Sequence, residues 1–139
     1  MKDRVFIDTN VWLYAFMEDS QGKKERALSV ISKNSGNIVI STQVLIEISA
    51  NLLKKTDYDE KDVSIVVERL SYVYHISLVD VQTILKALDI RKKYKYSFWD
   101  SLIIASALIA GCSILYTEDM QHSQLIDGSL RIVNPFLGE

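Results

Sequence analysis

Short apolar runs suited to β-strands alternate with stretches of helical apolar spacing along the whole chain, and no other feature limits its fold so tightly. Residues 4–8, 38–41, 74–77, 113–117 and 131–133 read as five strands. A helix over 9–17 follows the first, with a polar loop at 18–24 behind it. Ala27, Leu28 and Ile31 mark a second helix over 24–33. Leu45, Ile48 and Leu52 form one apolar line on a helix that Ser41 or Thr42 can cap. Val63, Val66, Val67, Leu70 and Val73 recur at amphipathic spacing, and Val81, Ile84, Leu85 and Leu88 mark another amphipathic helix, whose apolar stripe would ordinarily face the core. Residues 98–110 are apolar nearly all round, which predicts a deeply packed helix. Strands separated by helices predict a mostly parallel sheet covered on both faces, with ligands beyond the carboxyl ends of the strands. At 139 residues, without linker or repeat, the expectation is a single α/β domain over 1–139.

Composition narrows the chemistry. Charged residues make up 24% and the net charge is −2, so nothing in the global balance selects a nucleic-acid partner. The one cysteine, Cys112, excludes a disulfide framework and any metal site built from several thiolates. Val5 to Ile7 is too short for a signal peptide core, and residues 102–115 are too short for a membrane span and are broken by Ser106, Gly111 and Ser113. The expected location is cytoplasmic.

Four acidic residues stand where strands hand over to helices or open them: Asp8 in VFIDTN, Glu47 in STQVLIEIS, Asp100 in SFWDSLIIASAL and Asp119 in ILYTED. Singly, each has a structural reading. Asp8 suits a helix N-cap, Ser97 and Asp100 have capping-box spacing, Glu47 suits solvent, and Asp119 suits a turn. As a group they would resist ionising together unless a cation neutralised them. A hard divalent ion with oxygen ligands meets that need, and its chemistry is commonly done on phosphates. If the fold brings the four together, they form one metal-binding cleft. DTN after the first strand denies the acid pair of a receiver domain and the D-x-D of a dehalogenase-type phosphatase, and no G-x-G-x-x-G or Walker A run occurs.

Arg91, Lys92, Lys93 and Lys95, with Tyr94 and Tyr96 interleaved, form a dense basic run; Lys23, Lys24 and Arg26 form a smaller one. Such a run is a solvated helix face unless it borders the acids, where it would contact a phosphate backbone. His75 reads as structural and His122 as surface. Trp12, Tyr14 and Phe16 are either core or an exposed aromatic face.

In order and spacing, VFIDTNVWLYAF, STQVLIEI, SFWDSLIIASALIAG and ILYTEDM resemble the PIN-domain family over essentially the whole chain. The resemblance implies a three-layer α/β/α fold with a mostly parallel five-stranded sheet of order 3-2-1-4-5. It implies a metal-dependent endoribonuclease using Mg2+ or Mn2+, with Asp8, Glu47, Asp100 and Asp119 as catalytic and metal-holding acids supported by Asn10 and Thr117. Members of this size resemble VapC-type toxins, which implies a homodimer silenced by a small antitoxin. An RNA-processing nuclease outside a toxin system, or a binding module without catalysis, stays open as an alternative.

Overall fold

Six strands form one sheet in the order β3-β2-β1-β4-β6-β5 in the computed structural model, which describes residues 3–18 and 21–137. The strands are β1 Arg4–Ile7, β2 Ile38–Ser41, β3 His75–Ser77, β4 Cys112–Tyr116, β5 Leu125–Ile126 and β6 Leu130–Val133. The helices are α1 Thr9–Phe16, α2 Lys23–Lys33, α3 Thr42–Lys55, α4 Glu60–Val73, α5 Val81–Tyr94 and α6 Phe98–Ile109. Residues 19 and 20 of the expected polar loop lie outside the described residues.

The five parallel strands keep the expected order, with β6 as the fifth. The difference is β5, a two-residue strand antiparallel to β6, with Ile126 opposite Leu130. Asp127 and Gly128 turn the hairpin at φ 49° and 72°, the left-handed pair that a tight Asp-Gly turn favours.

β1 lies between β2 and β4, and Val5, Phe6, Ile7, Ile38, Val39 and Ile40 are all buried. Apolar runs without alternation are what a central parallel strand needs, because both faces are covered. Val44, Ile48 and Leu52 of α3 join the same core at a spacing of four. Residues 101–107 of α6 are buried throughout, and its small side chains let α5 approach: Ala87 packs with Leu102 and Ala105.

That close approach overturns one expectation. The buried positions of α5 are Thr83, Ala87 and Ile90, whereas Val81, Ile84, Leu85 and Leu88 are exposed. Asp80 and Thr83 close a capping box, and α6 offers a small-residue surface that accepts Ala87 rather than a leucine. The larger apolar stripe faces outward. The aromatics of α1 go the other way, into the core. Trp12 is buried against Tyr74 and donates to the Ile7 carbonyl at 3.1 Å, and Tyr14 packs edge-on to Phe136. Burial pushes the Cys112 thiol up to about 12, which leaves it an inert core side chain. Among the described residues, no helix is long and apolar enough to cross a membrane.

The register of the central strands sets up the site. Ile7 pairs with Tyr116, so the next residues, Asp8 and Thr117, leave the sheet side by side. The Asp8 N–H donates to the Tyr116 carbonyl at 2.9 Å and secures the crossing.

Candidate active site

Asp8 is both a cap and a member of a cleft. It ends β1 and caps α1, accepting from the Thr9 N–H at 2.7 Å and from the Thr117 hydroxyl at 2.8 Å. Thr117 Oγ1 in turn accepts from the Asp119 N–H at 3.2 Å and from Asn10 Nδ2 at 3.4 Å. Asn10 Nδ2 also donates to Asp119 Oδ2 at 2.8 Å, while Asn10 Oδ1 accepts from the Glu118 N–H at 3.4 Å. Asn10 and Thr117 thus tie the end of β1 to the turn after β4.

Glu47 comes from the middle of α3, one turn past Gln43. It accepts from the Thr9 hydroxyl at 2.6 Å through one oxygen and from Gln43 Nε2 at 3.1 Å through the other. Asp100 stands in the first turn of α6, which Ser97 caps by accepting the Asp100 N–H at 3.1 Å. A carboxylate in that turn is favoured by the helix dipole. Asp8, Glu47, Asp100 and Asp119 line a single cleft of about 250 Å³ together with Thr9, Asn10 and Gln43.

The electrostatics of the cleft are those of uncompensated negative charge. Burial raises Asp8 to about 7, opposed by its bonds from Thr117 and Thr9 and reinforced by Glu47 and Asp100. Asp100 is raised too, first by burial, then by Asp119 and Glu47, with Ser97 pulling the other way. Among the described residues, no Lys, Arg or His lines the cleft. Among the described residues, no three acidic, histidine or cysteine side chains are drawn tightly enough to form a closed chelate. The donor set still fits a hard divalent cation. It is all oxygen, its neighbouring acids help to raise Asp8 and Asp100, and magnesium needs few direct protein ligands because it keeps several waters.

All four acids expected from the sequence meet here, as do Asn10 and Thr117. Thr9 and Gln43, which hold Glu47 from both sides, were not among the expected residues; the signal available was adjacency to Asp8 and a helical spacing of four from Glu47. Arg91, Lys92, Lys93 and Lys95 do not line the cleft, and Lys93 is paired with Asp89 at 3.3 Å and Asp127 at 3.6 Å. The smaller basic run comes nearer. Lys23 is bonded to Glu118, the neighbour of Asp119, and to the Tyr14 hydroxyl. His75 sits in β3 and His122 accepts from the Asn134 N–H, both away from the carboxylates.

The model of the PIN-domain family matches residues 5–126. No curated protein matches the chain. Among solved structures, the chain is similar to a toxin–antitoxin complex from Klebsiella pneumoniae, at 19% identity and a TM-score of 0.74 over 95% of this chain and 98% of the other. It is similar to Mycobacterium tuberculosis VapC20, a toxin that cleaves the sarcin–ricin loop, at 20% identity and 0.66 over 80% and 86%. It is also similar to DNA-bound VapBC from Salmonella typhimurium, at 19% identity and 0.69 over 94% and 97%. At such identities the likeness is one of fold.

Proposed function

The chain belongs to the PIN-domain family, and we propose that it is a divalent-metal-dependent endoribonuclease acting as the toxin of a toxin–antitoxin pair. The observation that carries the proposal is the meeting of four carboxylates from four separate segments in one cleft that, among the described residues, no cationic side chain lines. Structures with the same fold include toxins in complex with their antitoxins, which supports the biological setting.

In this reading Asp8, Glu47, Asp100 and Asp119 hold Mg2+ or Mn2+. The bound ion supplies a water of lowered pKa and offsets charge on the attacked phosphate. The chain's own residues do the rest. Thr117 and Asn10 fix Asp8 and Asp119 against each other, and Thr9 and Gln43 fix both oxygens of Glu47. Outer contacts of this kind set the orientation of ligating oxygens and with it the affinity of the site. Burial of Asp8 keeps bulk water from competing for the ion and makes its charge costly until the ion arrives.

A homodimer is part of the proposal. The outward apolar stripe of α5, with Leu78 at 69% exposure ahead of Val81 and Leu85, is the surface that supports it. A small antitoxin completes the partner set, directing a cationic side chain at the acidic cleft. The decisive experiment incubates the purified chain with unstructured and structured RNA, with manganese and with chelator. Cleavage with manganese, none with chelator and none by Asp100→Asn is the expected pattern. Intact RNA in every lane would defeat the enzyme reading in favour of a binding module.

A further inference from the structure

A second cavity, of about 650 Å³, opens beside the acidic cleft and shares three wall residues with it: Gln43, Glu47 and Trp99. The rest of its wall is mostly apolar, formed by Ile46, Val79 and Leu102. Trp99 is 63% exposed. An indole left that open to water forgoes most of the free energy its burial would supply. The ring directly precedes Asp100 in the first turn of α6, so the Ser97 cap that places the carboxylate also places the indole. Phe98 packs edge-on against it with centroids 5.4 Å apart, which steadies the ring without covering it.

Gln43 adds a polar demand. It is 6% exposed, and its Nε2 is committed to Glu47 and to the Trp99 carbonyl at 3.3 Å. Those two acceptors fix which end of the amide is nitrogen. Its Oε1 is buried and, among the described residues, has no hydrogen-bond partner. The cavity presents a flat aromatic surface and an apolar floor directly beside the acidic cleft. Among the described residues its only charged wall residue is Glu47, so it does not suit a phosphate. A nucleobase suits both features, since it has a flat π-face and is tethered to the phosphate that the neighbouring cleft would hold.

We propose that this cavity receives one unpaired nucleobase of the RNA whose phosphate lies in the acidic cleft, stacked on Trp99. The proposal rests on the nuclease reading above and extends it to substrate choice. A base held in a helix cannot be splayed into the cavity, so the site selects single-stranded or looped RNA.

The test is steady-state cleavage of a short unstructured oligoribonucleotide with manganese, by the full chain and two variants. Trp99→Ala is expected to raise KM about tenfold or more, the range that losing one base–aromatic stack implies, with kcat changed by less than about threefold. Trp99→Phe is expected to recover most of the loss. A set of substrates carrying one abasic nucleotide each identifies the base. At one position the abasic substrate should lower wild-type efficiency to the Trp99→Ala level and cost Trp99→Ala nothing further. Equal KM for wild type and a folded Trp99→Ala overturns the base site alone. So does an altered sedimentation state of Trp99→Ala with every abasic substrate cut at the parent rate, which would make the cavity a protein interface. Wild type that cuts no RNA removes the nuclease reading and this proposal with it.

Discussion

Asp8→Asn separates the charge of the central carboxylate from its shape. Burial raises Asp8 to about 7 from 3.8. Between those values the folded chain keeps a proton that the unfolded chain has released. The native state then binds more protons, so stability is lost as pH rises through that window. A shift of about three pK units corresponds to roughly 4 kcal/mol at neutral pH, an upper figure because neighbouring acids share the repulsion. Asparagine removes the charge and keeps the outline. Its carbonyl can still accept from the Thr9 N–H, 2.7 Å from the Asp8 oxygen. Its amide faces a hydroxyl that donated to Asp8, so the Thr117 bond is lost or reversed and offsets part of the gain. For a chain of this size each kcal/mol moves the melting temperature by about 3–5 °C. In chelator at pH 7.5, Asp8→Asn should therefore melt about 5–15 °C above wild type. The gap should narrow to a small remnant near pH 4 and close about a unit lower, where wild-type Asp8 is protonated in both states. Adding manganese should raise wild type, by roughly 2.7 kcal/mol at one hundred times its dissociation constant, and should raise the variant little. Calorimetry at pH 4, 5.5 and 7.5, with and without the ion, reads all of this. A variant that melts below wild type in chelator at pH 7.5 would refute the account of Asp8 as a strained, charge-storing residue.

Because the proton on Asp8 competes with the cation, apparent manganese affinity by titration calorimetry should fall about tenfold per pH unit below about 7; a flat profile would remove Asp8 from the ligand set. Thr117→Val deletes the hydroxyl that bonds Asp8, Asn10 and the Asp119 N–H. It should cost about 1–3 kcal/mol in denaturant unfolding, and a loss under about 0.5 kcal/mol would show those bonds to be idle. Leu85→Glu, at a position 54% exposed, should leave the melting temperature within about 2 °C while shifting sedimentation from dimer to monomer. Unchanged sedimentation would detach the α5 stripe from any dimer. Neutralising Arg91, Lys92 and Lys95 should flatten the salt dependence of RNA binding without altering manganese affinity, and an unaltered slope would make that run a plain solvated face.

Asp8 and Asp119 were legible because they follow strands that apolar runs mark clearly, and a parallel sheet brings such ends to one edge. Glu47, inside α3, and Asp100, in the first turn of α6, were legible from the pattern of the helices that carry them. The register of β1 against β4 could not be read, and it is that register which puts Asp8 beside Thr117. The hairpin strand β5 carried a local signal in Asp127-Gly128, but two residues are too few for periodicity to register. On α5 the pattern gave the wrong face. Apolar spacing says which residues form a stripe, whereas the size of the side chains on α6 decided that Ala87 would face inward and Leu85 outward. Thr9 and Gln43 stayed hidden because hydroxyl and amide side chains are common at helix starts, and only the fold shows that both reach Glu47.

The four carboxylates divide evenly along the chain. Asp8 and Glu47 precede residues 56–59, the connection between α3 and α4, and Asp100 and Asp119 follow it. A break there leaves two fragments with two acids apiece, and the bonds from Thr117 to Asp8 and from Asn10 to Asp119 both cross it. So does the pairing of β1 with β4, since β1 belongs to the first fragment and β4 to the second. Neither piece holds half a working cleft, because each side of the cleft is oriented by the other. Reassembly requires the β1–β2 pair of the first fragment to slot back between β3 and β4 of the second, so the cleft closes only when both parts are docked.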